Sequence, residues 1–303
     1  MRNKNVSFNR LINSDKIFDV CNVIIISILF IIFLYPLYFV VIASFSDPIA
    51  VGNGKTLLHP VGITLECYKK AFEYSRLWSG YANSIYYTVV GTLCNMVFSI
   101  CFAYPLSSKE FMPKKILLKL FLFTMYFSGG MIPLYLVVKQ TGILNTRWAM
   151  IIPGLVSVYN CLIIRSYFVN SIPGELQEAA TLDGAGCFQY LWRVLLPLSK
   201  PVLAVVGLYY AVAHWNDYYH ALLYINDMEL YPLQSILRDL LMSVQTLAFG
   251  MDSVSMEEME MLSAQSMQLK YCVIVLASLP MMCIYPFVQK YFVKGMMVGS
   301  IKG

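Results

Sequence analysis

Charge is what this sequence has least of. Only 13% of its 303 residues are Asp, Glu, Lys or Arg, roughly half the share carried by soluble domains. Together with 58% hydrophobic residues and a mean hydropathy of +0.63, that scarcity excludes a single water-soluble core of this size. Bilayer hydrocarbon is the solvent such a composition calls for. There is no CxxC pair and no His/Cys cluster at metal-ligand spacing, so no metal site is expected. A phosphate-binding loop is missing as well. Gly52-Asn53-Gly54-Lys55-Thr56 imitates the end of one, but Ile49 stands where its first glycine belongs and no strand precedes it, so we read a turn. The sequence has no internal repeat and no low-complexity tract. Its net charge of +5 requires no nucleic acid, because membrane proteins collect Lys and Arg on their cytoplasmic side.

The eight cysteines do not read as a disulfide framework. Cys21, Cys94, Cys101, Cys161, Cys272 and Cys283 fall in or beside apolar runs, where cysteine behaves as a small hydrophobe. Cys187 lies in a segment placed in the cytosol, and Cys67 is expected to face outside without a partner.

Six apolar stretches reach the length of about 20 residues that crosses a membrane: 20–43, 84–106, 116–138, 148–169, 201–225 and 270–292. Each can satisfy its backbone in lipid only as a helix. The expected fold is all-α and integral to the membrane, with Pro133, Pro153, Pro280 and Pro286 inside helices as tolerated kinks. The first stretch follows Arg2, Lys4, Arg10 and Lys16 and is too long for the h-region of a signal peptide, so it is read as a retained helix. With both termini cytoplasmic, most of the 22 Lys and Arg fall inside, among them Lys109, Lys114, Lys115, Lys290, Lys294 and Lys302. Lys55, Lys69, Lys70 and Arg76 dissent. The chain then divides into a cytoplasmic segment 1–19, helix 20–43, an outer loop 44–83, and a core of five helices over 84–292. That core carries an inner loop 170–200 and an outer loop 226–269, and a tail 293–303 closes the chain.

The inner loop is the most informative stretch. It runs Ser171-Ile172-Pro173-Gly174-Glu175-Leu176-Gln177-Glu178-Ala179-Ala180-Thr181-Leu182-Asp183-Gly184-Ala185-Gly186 and ends Leu195-Leu196-Pro197-Leu198-Ser199-Lys200-Pro201. Pro173 suits a first helical turn, and Glu175 and Glu178 suit the positive end of a helix. Ala179-Ala180 gives a bare surface, and Asp183-Gly184 allows the left-handed residue that stops a helix. From Ala185 on, Phe188, Leu191, Trp192 and Leu195 recur at helical spacing on one face. Two short helices joined by a break can dock into a cleft of another protein or can merely connect two spans, and periodicity leaves both readings open.

Glu178-Ala179-Ala180, Asp183-Gly184-Ala185, Pro197 and Pro201 resemble the EAA loop of bacterial binding-protein-dependent ABC permeases. The resemblance covers most of the chain. Asn83-Ser84, Trp215-Asn216-Asp217, Tyr285-Pro286-Phe287, Gln289-Lys290-Tyr291-Phe292-Val293-Lys294-Gly295 and the closing Gly299-Ser300-Ile301-Lys302-Gly303 are similar to the carbohydrate branch, namely the second permease of maltose-type systems. Within that branch the chain is similar to permeases for complex or acidic oligosaccharides. This resemblance implies a type I importer permease of six transmembrane helices that catalyses no covalent chemistry and needs no cofactor. It also implies a second permease subunit, two ATP-binding subunits, an extracytoplasmic solute-binding protein and a sugar substrate as partners. Glu178 would contact the ATPase, Ala179 and Ala180 would permit close approach, Gly184 would form the bend, and Lys294 to Gly303 would approach the ATPase dimer.

The fifth stretch holds polar groups that hydrocarbon should exclude: His214, Asn216, Asp217 and His220 among Trp215, Tyr218 and Tyr219. Tyr210, His214, Asp217 and Ala221 share a face at helical spacing. Tyr210, His214, Asn216, Asp217 and Tyr218 are candidates to line a substrate path; contact with a partner permease, or a seat at the outer interface, is the other reading. The Met- and Glu-rich segment Met256 to Met267 reads either as a solvated cap or as a contact for a binding protein. A non-sugar solute remains an alternative, as does a secondary transporter, although the latter usually shows paired broken helices and repeats.

Overall fold

The computed structural model describes residues 4–249, 264–265, 267–284 and 286. The closing motifs from Phe287 onward and most of the Met256–Met267 segment lie outside the described residues. Among those described, every regular element is helical: α1 (Lys4–Ser44), α2 (Pro48–Gly52), α3 (Glu66–Glu73), α4 (Ser75–Ser107), α5 (Lys114–Tyr126), α6 (Met131–Gln140), α7 (Val158–Asn170), α8 (Glu175–Leu182), α9 (Cys187–Tyr190), α10 (Leu196–Leu198), α11 (Lys200–Trp215), α12 (Tyr219–Tyr224) and α13 (Leu233–Phe249), and α14 (Met267–Ile284). The chain forms two compact units, Met1–Ala71 with Ser243–Leu276 and Phe72–Met242 with Ala277–Gly303.

Three described helices are long and apolar enough to cross a membrane unaided: Phe18–Ser44 within α1, α4 and α14. Counting two bent helix pairs as one span each brings the number to five. The expected continuous helix over 116–138 is broken, since α5 stops at Tyr126 and α6 resumes at Met131 past Gly129-Gly130, bent by 112°. The stretch 148–169 is helical only from Val158. A 3₁₀ turn, Arg147–Met150, opens it, and Pro153 sits in irregular backbone rather than in a helix. The stretch 201–225 is divided at Asn216–Tyr218, where Asn216 caps α11 by donating its backbone N–H to Val212. All three interruptions fall at Gly, Pro or Asn, the residues that part most readily from helical geometry.

In the first unit, α1 presents only apolar side chains from Val20 to Leu34, apart from Cys21, Asn22 and Ser27, and no residue of its most apolar stretch is buried within the chain. Lipid or a partner must cover it. Past its end, Asp47 caps α2, its carboxylate accepting from the Ile49 and Ala50 amides. Tyr68 on α3 bonds Ser44 at 2.8 Å and stacks on Phe45, while Gln268 of α14 donates to the Ser46 carbonyl at 2.6 Å. Cys67 and Cys272, both buried, are brought into hydrogen-bond contact there. Cys67 thus has a partner after all, because packing joins two segments separated by 205 positions in sequence, beyond the reach of spacing arguments.

The second unit is built on α4. Its buried residues include Asn83, Tyr87, Gly91, Asn95, Ser99 and Ala103, one every fourth position. Four residues overshoot a full helical turn by about 40°, so this stripe winds round the helix and meets a new partner at each step. At one end Asn83 Nδ2 donates to the carbonyls of Glu229 (2.6 Å) and Tyr231 (3.1 Å), Tyr87 donates to Leu230 (2.8 Å), and Ser84 Oγ accepts from the Leu233 amide (2.8 Å). In the middle Asn95 Nδ2 donates to the carbonyls of Gly154 and Leu155, at 2.7 and 2.9 Å, and its Oδ1 lies 2.7 Å from His214 Nε2. That amide nitrogen is fully engaged, so Oδ1 is the acceptor and His214 Nε2 carries the proton. Ser99 and Tyr210 share a bond of 2.7 Å, and the Tyr210 oxygen accepts from the Ser157 amide. Ala103 ends the stripe in an apolar cluster with Ile164, Phe168, Val202 and Val206.

Gly91 is where this packing is tightest. A Cβ there would stand 2.5–2.8 Å from the His214 ring, which the Asn95 bond holds in place. Gly207 is a contrast, with only Met96 Sδ at 3.9 Å. Gly91→Val is expected to lower stability by about 1–3 kcal/mol through overpacking. Gly207→Ala should leave the thermal midpoint in detergent close to that of the unaltered protein.

Candidate functional site

The loop singled out in the sequence folds as an elbow. Helix α8 spans Glu175–Leu182 with Glu175 and Glu178 in its first turn, the favourable end for carboxylates. It stops through a paired-bond motif: Gly184 donates to Thr181 and Ala185 to Ala180, at 3.0 and 2.9 Å. Those bonds require a left-handed residue between them, which Gly184 supplies at φ +76°. Asp183 precedes it as the capping residue. Glu178 and Ala179 are exposed, and Ala180 and Ala185 are partly buried.

The second arm is not a plain α-helix. After α9, Leu191–Leu195 forms a π-helical turn, and α10 follows with Pro197 exposed. The arm then meets α11 at 83°. Burial departs from the expected pattern here. Leu191 and Leu195 point inward with Tyr190, against Ile164, Phe168 and Val202. Phe188 and Trp192 leave that face, pack on one another at 6.1 Å, and stay 72% and 59% exposed. Leu182, across the bend, is 89% exposed. The single face expected from Phe188, Leu191, Trp192 and Leu195 is therefore two faces, one anchoring the elbow and one presenting it.

The candidates of the fifth apolar stretch, 201–225, separate likewise. Tyr210 and His214 are buried and occupied by Ser99, Ser157 and Asn95. Trp215 donates from Nε1 to the Ala277 carbonyl. Asn216 and Tyr218 are exposed where the helix is broken. Asp217 accepts from the His220 amide (3.1 Å) and pairs with His220 Nδ1 (2.6 Å), so its carboxylate is engaged by the first turn of α12 and does not continue the face of α11. Beside this pair lies a pocket of about 480 Å³, lined on one side by the α5–α6 break (Ser128 to Leu134) and on the other by Tyr219, His220 and Tyr224. Two interrupted helices thus face the same space.

Comparison with known proteins decides what such a chain is. Residues 13–298 match the family described as "binding-protein-dependent transport system inner membrane component". The chain belongs to this family. Among its relatives, protein LplC of Bacillus subtilis (strain 168) is 40% identical over 290 residues, covering 96% of each chain. A polygalacturonan/rhamnogalacturonan transport system permease protein, YtcP of the same organism, is 38% identical over 88% of this chain and 92% of its own. The crystal structure of a bacterial ABC transporter involved in the import of the acidic polysaccharide alginate superposes with a TM-score of 0.80 at 33% identity, covering 92% of this chain and 98% of that one.

As an inner-membrane transport component, the chain carries further organising residues that sequence reading passed over. Asn83 carries part of the family resemblance and Asn95 carries none, yet a lone Asn inside an apolar run signals a required partner. Arg147 lies over the Tyr86 ring at 4.7 Å and reaches Asn83 Oδ1 at 3.4 Å. Asn145, at φ +58°, accepts from the amides of Asn226 and Asp227.

No neighbour lies within 4 Å of a Cβ built on Gly184, so substitution there costs backbone strain alone. Gly184→Val should destabilise the bend by about 1–2 kcal/mol, seen as faster limited proteolysis between α8 and α9. Gly184→Asn, which tolerates left-handed backbone, should be cut at nearly the unaltered rate.

Proposed function

We propose that this chain is a permease subunit of an ABC importer that moves a carbohydrate, an oligosaccharide, across the bacterial plasma membrane. ATP hydrolysis on a separate subunit drives the transport. The observation that carries this reading is the end-to-end likeness to a sugar-transport permease and to an alginate importer, at 38% and 33% identity. Both of those proteins are named for acidic polysaccharides, which favours uronic-acid oligosaccharides over neutral ones. In this reading both termini are cytoplasmic. A second permease, two ATP-binding subunits and an extracytoplasmic binding protein complete the complex.

The elbow supplies the coupling. Its inward face, Tyr190, Leu191 and Leu195, is fixed to α7 and α11. Its outward face offers Glu178, Ala179, Leu182, Phe188 and Trp192 to the ATPase, a combination of apolar anchors and a carboxylate that suits a protein interface. Asp183, Gly184, Ala185 and Pro197 hold the shape. Substrate passes the space between the two helix breaks, and in this reading Asn216, Asp217 and Tyr218, next in sequence to the pocket-lining Tyr219 and His220, act at its edge. Tyr210 and His214 act one layer behind, by holding α11 on α4. Non-helical backbone at membrane depth is tolerated where it lines a hydrated cavity, and aromatic side chains beside polar groups suit the faces and hydroxyls of sugars. Alternating access then requires the two states to differ in their contacts at both the elbow and the breaks.

The decisive experiment reconstitutes the complex in proteoliposomes with its binding protein and follows uptake of labelled oligogalacturonide against a maltooligosaccharide. Uptake of the acidic sugar alone is expected; uptake of neither, with an intact complex, would overturn the carbohydrate reading. Trp192→Ala combined with Glu178→Lys should reduce co-purification of the ATPase at least tenfold while leaving the thermal midpoint unchanged. Normal co-purification and uptake would remove the elbow from coupling. Asp217→Asn should lower uptake severalfold with assembly intact.

A further inference from the structure

We infer that Cys67 and Cys272 form an oxidisable dithiol pair, able to close into a disulfide that clamps α3 to α14 at the end of α1. The two thiols are in hydrogen-bond contact and both are buried. Their surroundings hold them there. Tyr68, the residue after Cys67, is fixed by its bond to Ser44 and its stacking on Phe45 at 5.0 Å. Gln268, one turn before Cys272, is fixed by its bond to the Ser46 carbonyl, and Tyr271 meets Phe39 edge-on at 5.5 Å. The neighbours of both cysteines are thus held against the same stretch, residues 39–46 at the end of α1 and just past it, by contacts independent of the sulfurs. The remaining cysteines include four exposed ones, Cys21, Cys101, Cys187 and Cys283, and no such arrangement holds any of them to a second thiol.

The chemistry is thiol–disulfide exchange with a small-molecule or protein disulfide as oxidant. Cys67, 5% exposed against 0% for Cys272, is the thiol an oxidant reaches first, and it attacks as its thiolate. Its sulfur attacks one sulfur of the oxidant and releases the other as a thiolate, leaving a mixed disulfide on Cys67. Cys272 then gives up its proton and attacks Cys67 Sγ, expelling the second oxidant thiol. The protein loses two electrons and two protons, and the oxidant gains both as two thiols. On the orientation with cytoplasmic termini the pair lies at the outer surface, the side on which disulfides persist.

The test uses the full-length chain in right-side-out membrane vesicles exposed to oxidised glutathione. Free thiols are alkylated, and the protein is digested with trypsin without reduction. The expected product joins peptide 56–69, which holds Cys67, to peptide 271–290, which holds Cys272, and dithiothreitol separates them. Fragmentation must place the bond on Cys272 rather than on Cys283, which shares its peptide. Cys67→Ser should abolish the cross-link, and Cys283→Ser should leave its yield unchanged. Recovery of both cysteines as separate alkylated or glutathione-bound peptides would overturn the inference, as would a link to Cys283. The readout requires no transport substrate, so it stands or falls independently of the sugar reading.

Discussion

The second unit depends on one constraint: polar groups inside an apolar helix must find partners within the protein, because lipid offers none. Helix α4 places Asn83, Asn95 and Ser99 on its buried stripe, and each reaches a different element. Asn83 secures the Glu229–Tyr231 turn, Asn95 joins the backbone before α7 to His214 of α11, and Ser99 takes Tyr210. A hydrogen bond between membrane helices contributes only about 0.6 kcal/mol on average, so these bonds matter less for strength than for direction. Leaving any one partner buried and unpaired costs about 1–3 kcal/mol, and that asymmetry selects a single register of α4 against α11.

The apolar runs made the helical class and the membrane setting legible, and the Ser171–Pro201 loop was legible down to the residue that bends it. Asp183-Gly184 followed by a second amphipathic stretch has few local alternatives. What stayed hidden was non-local or depended on irregular turns. The π turn at Leu191–Leu195 cannot be told from an α turn by a spacing of three or four, nor does spacing say which edge of so wide a stripe packs inward: Leu191 and Leu195 do, while Phe188 and Trp192 stay exposed. The breaks at Gly129-Gly130 and Asn216 were visible as residues. Hydropathy averages over about 19 positions, however, and smooths such interruptions into continuous spans. Tyr210 and His214 look alike with Asn216 and Tyr218 in a list of polar residues, and only the location of Asn95 and Ser99 separates structural from exposed groups.

Elbow and breaks are linked through the same helix. The arm carrying Phe188 and Trp192 turns through 83° into α11, α11 ends at Asn216, and the Asp217–His220 pair starts α12 immediately beyond. A displacement applied at one end of α11 has a short, hydrogen-bonded route to the other, with His214 and Tyr210 fastening the helix to α4 on the way. In the proposed importer, this would carry motion from the ATPase face to the space that sugar crosses.

The winding stripe on α4 also limits how such a chain can change length. One residue inserted between Tyr87 and Gly91 would rotate everything beyond it by about 100°. Asn95 and Ser99 would then turn away from His214 and Tyr210, and the His214 ring would meet a side chain in place of Gly91. Substitutions along the stripe disturb one partner at a time, whereas a length change disturbs all those that follow. From Asn83 to Ala103 the residue count is therefore as tightly constrained as the stripe residues themselves, because each partner is met at its own angle around the helix.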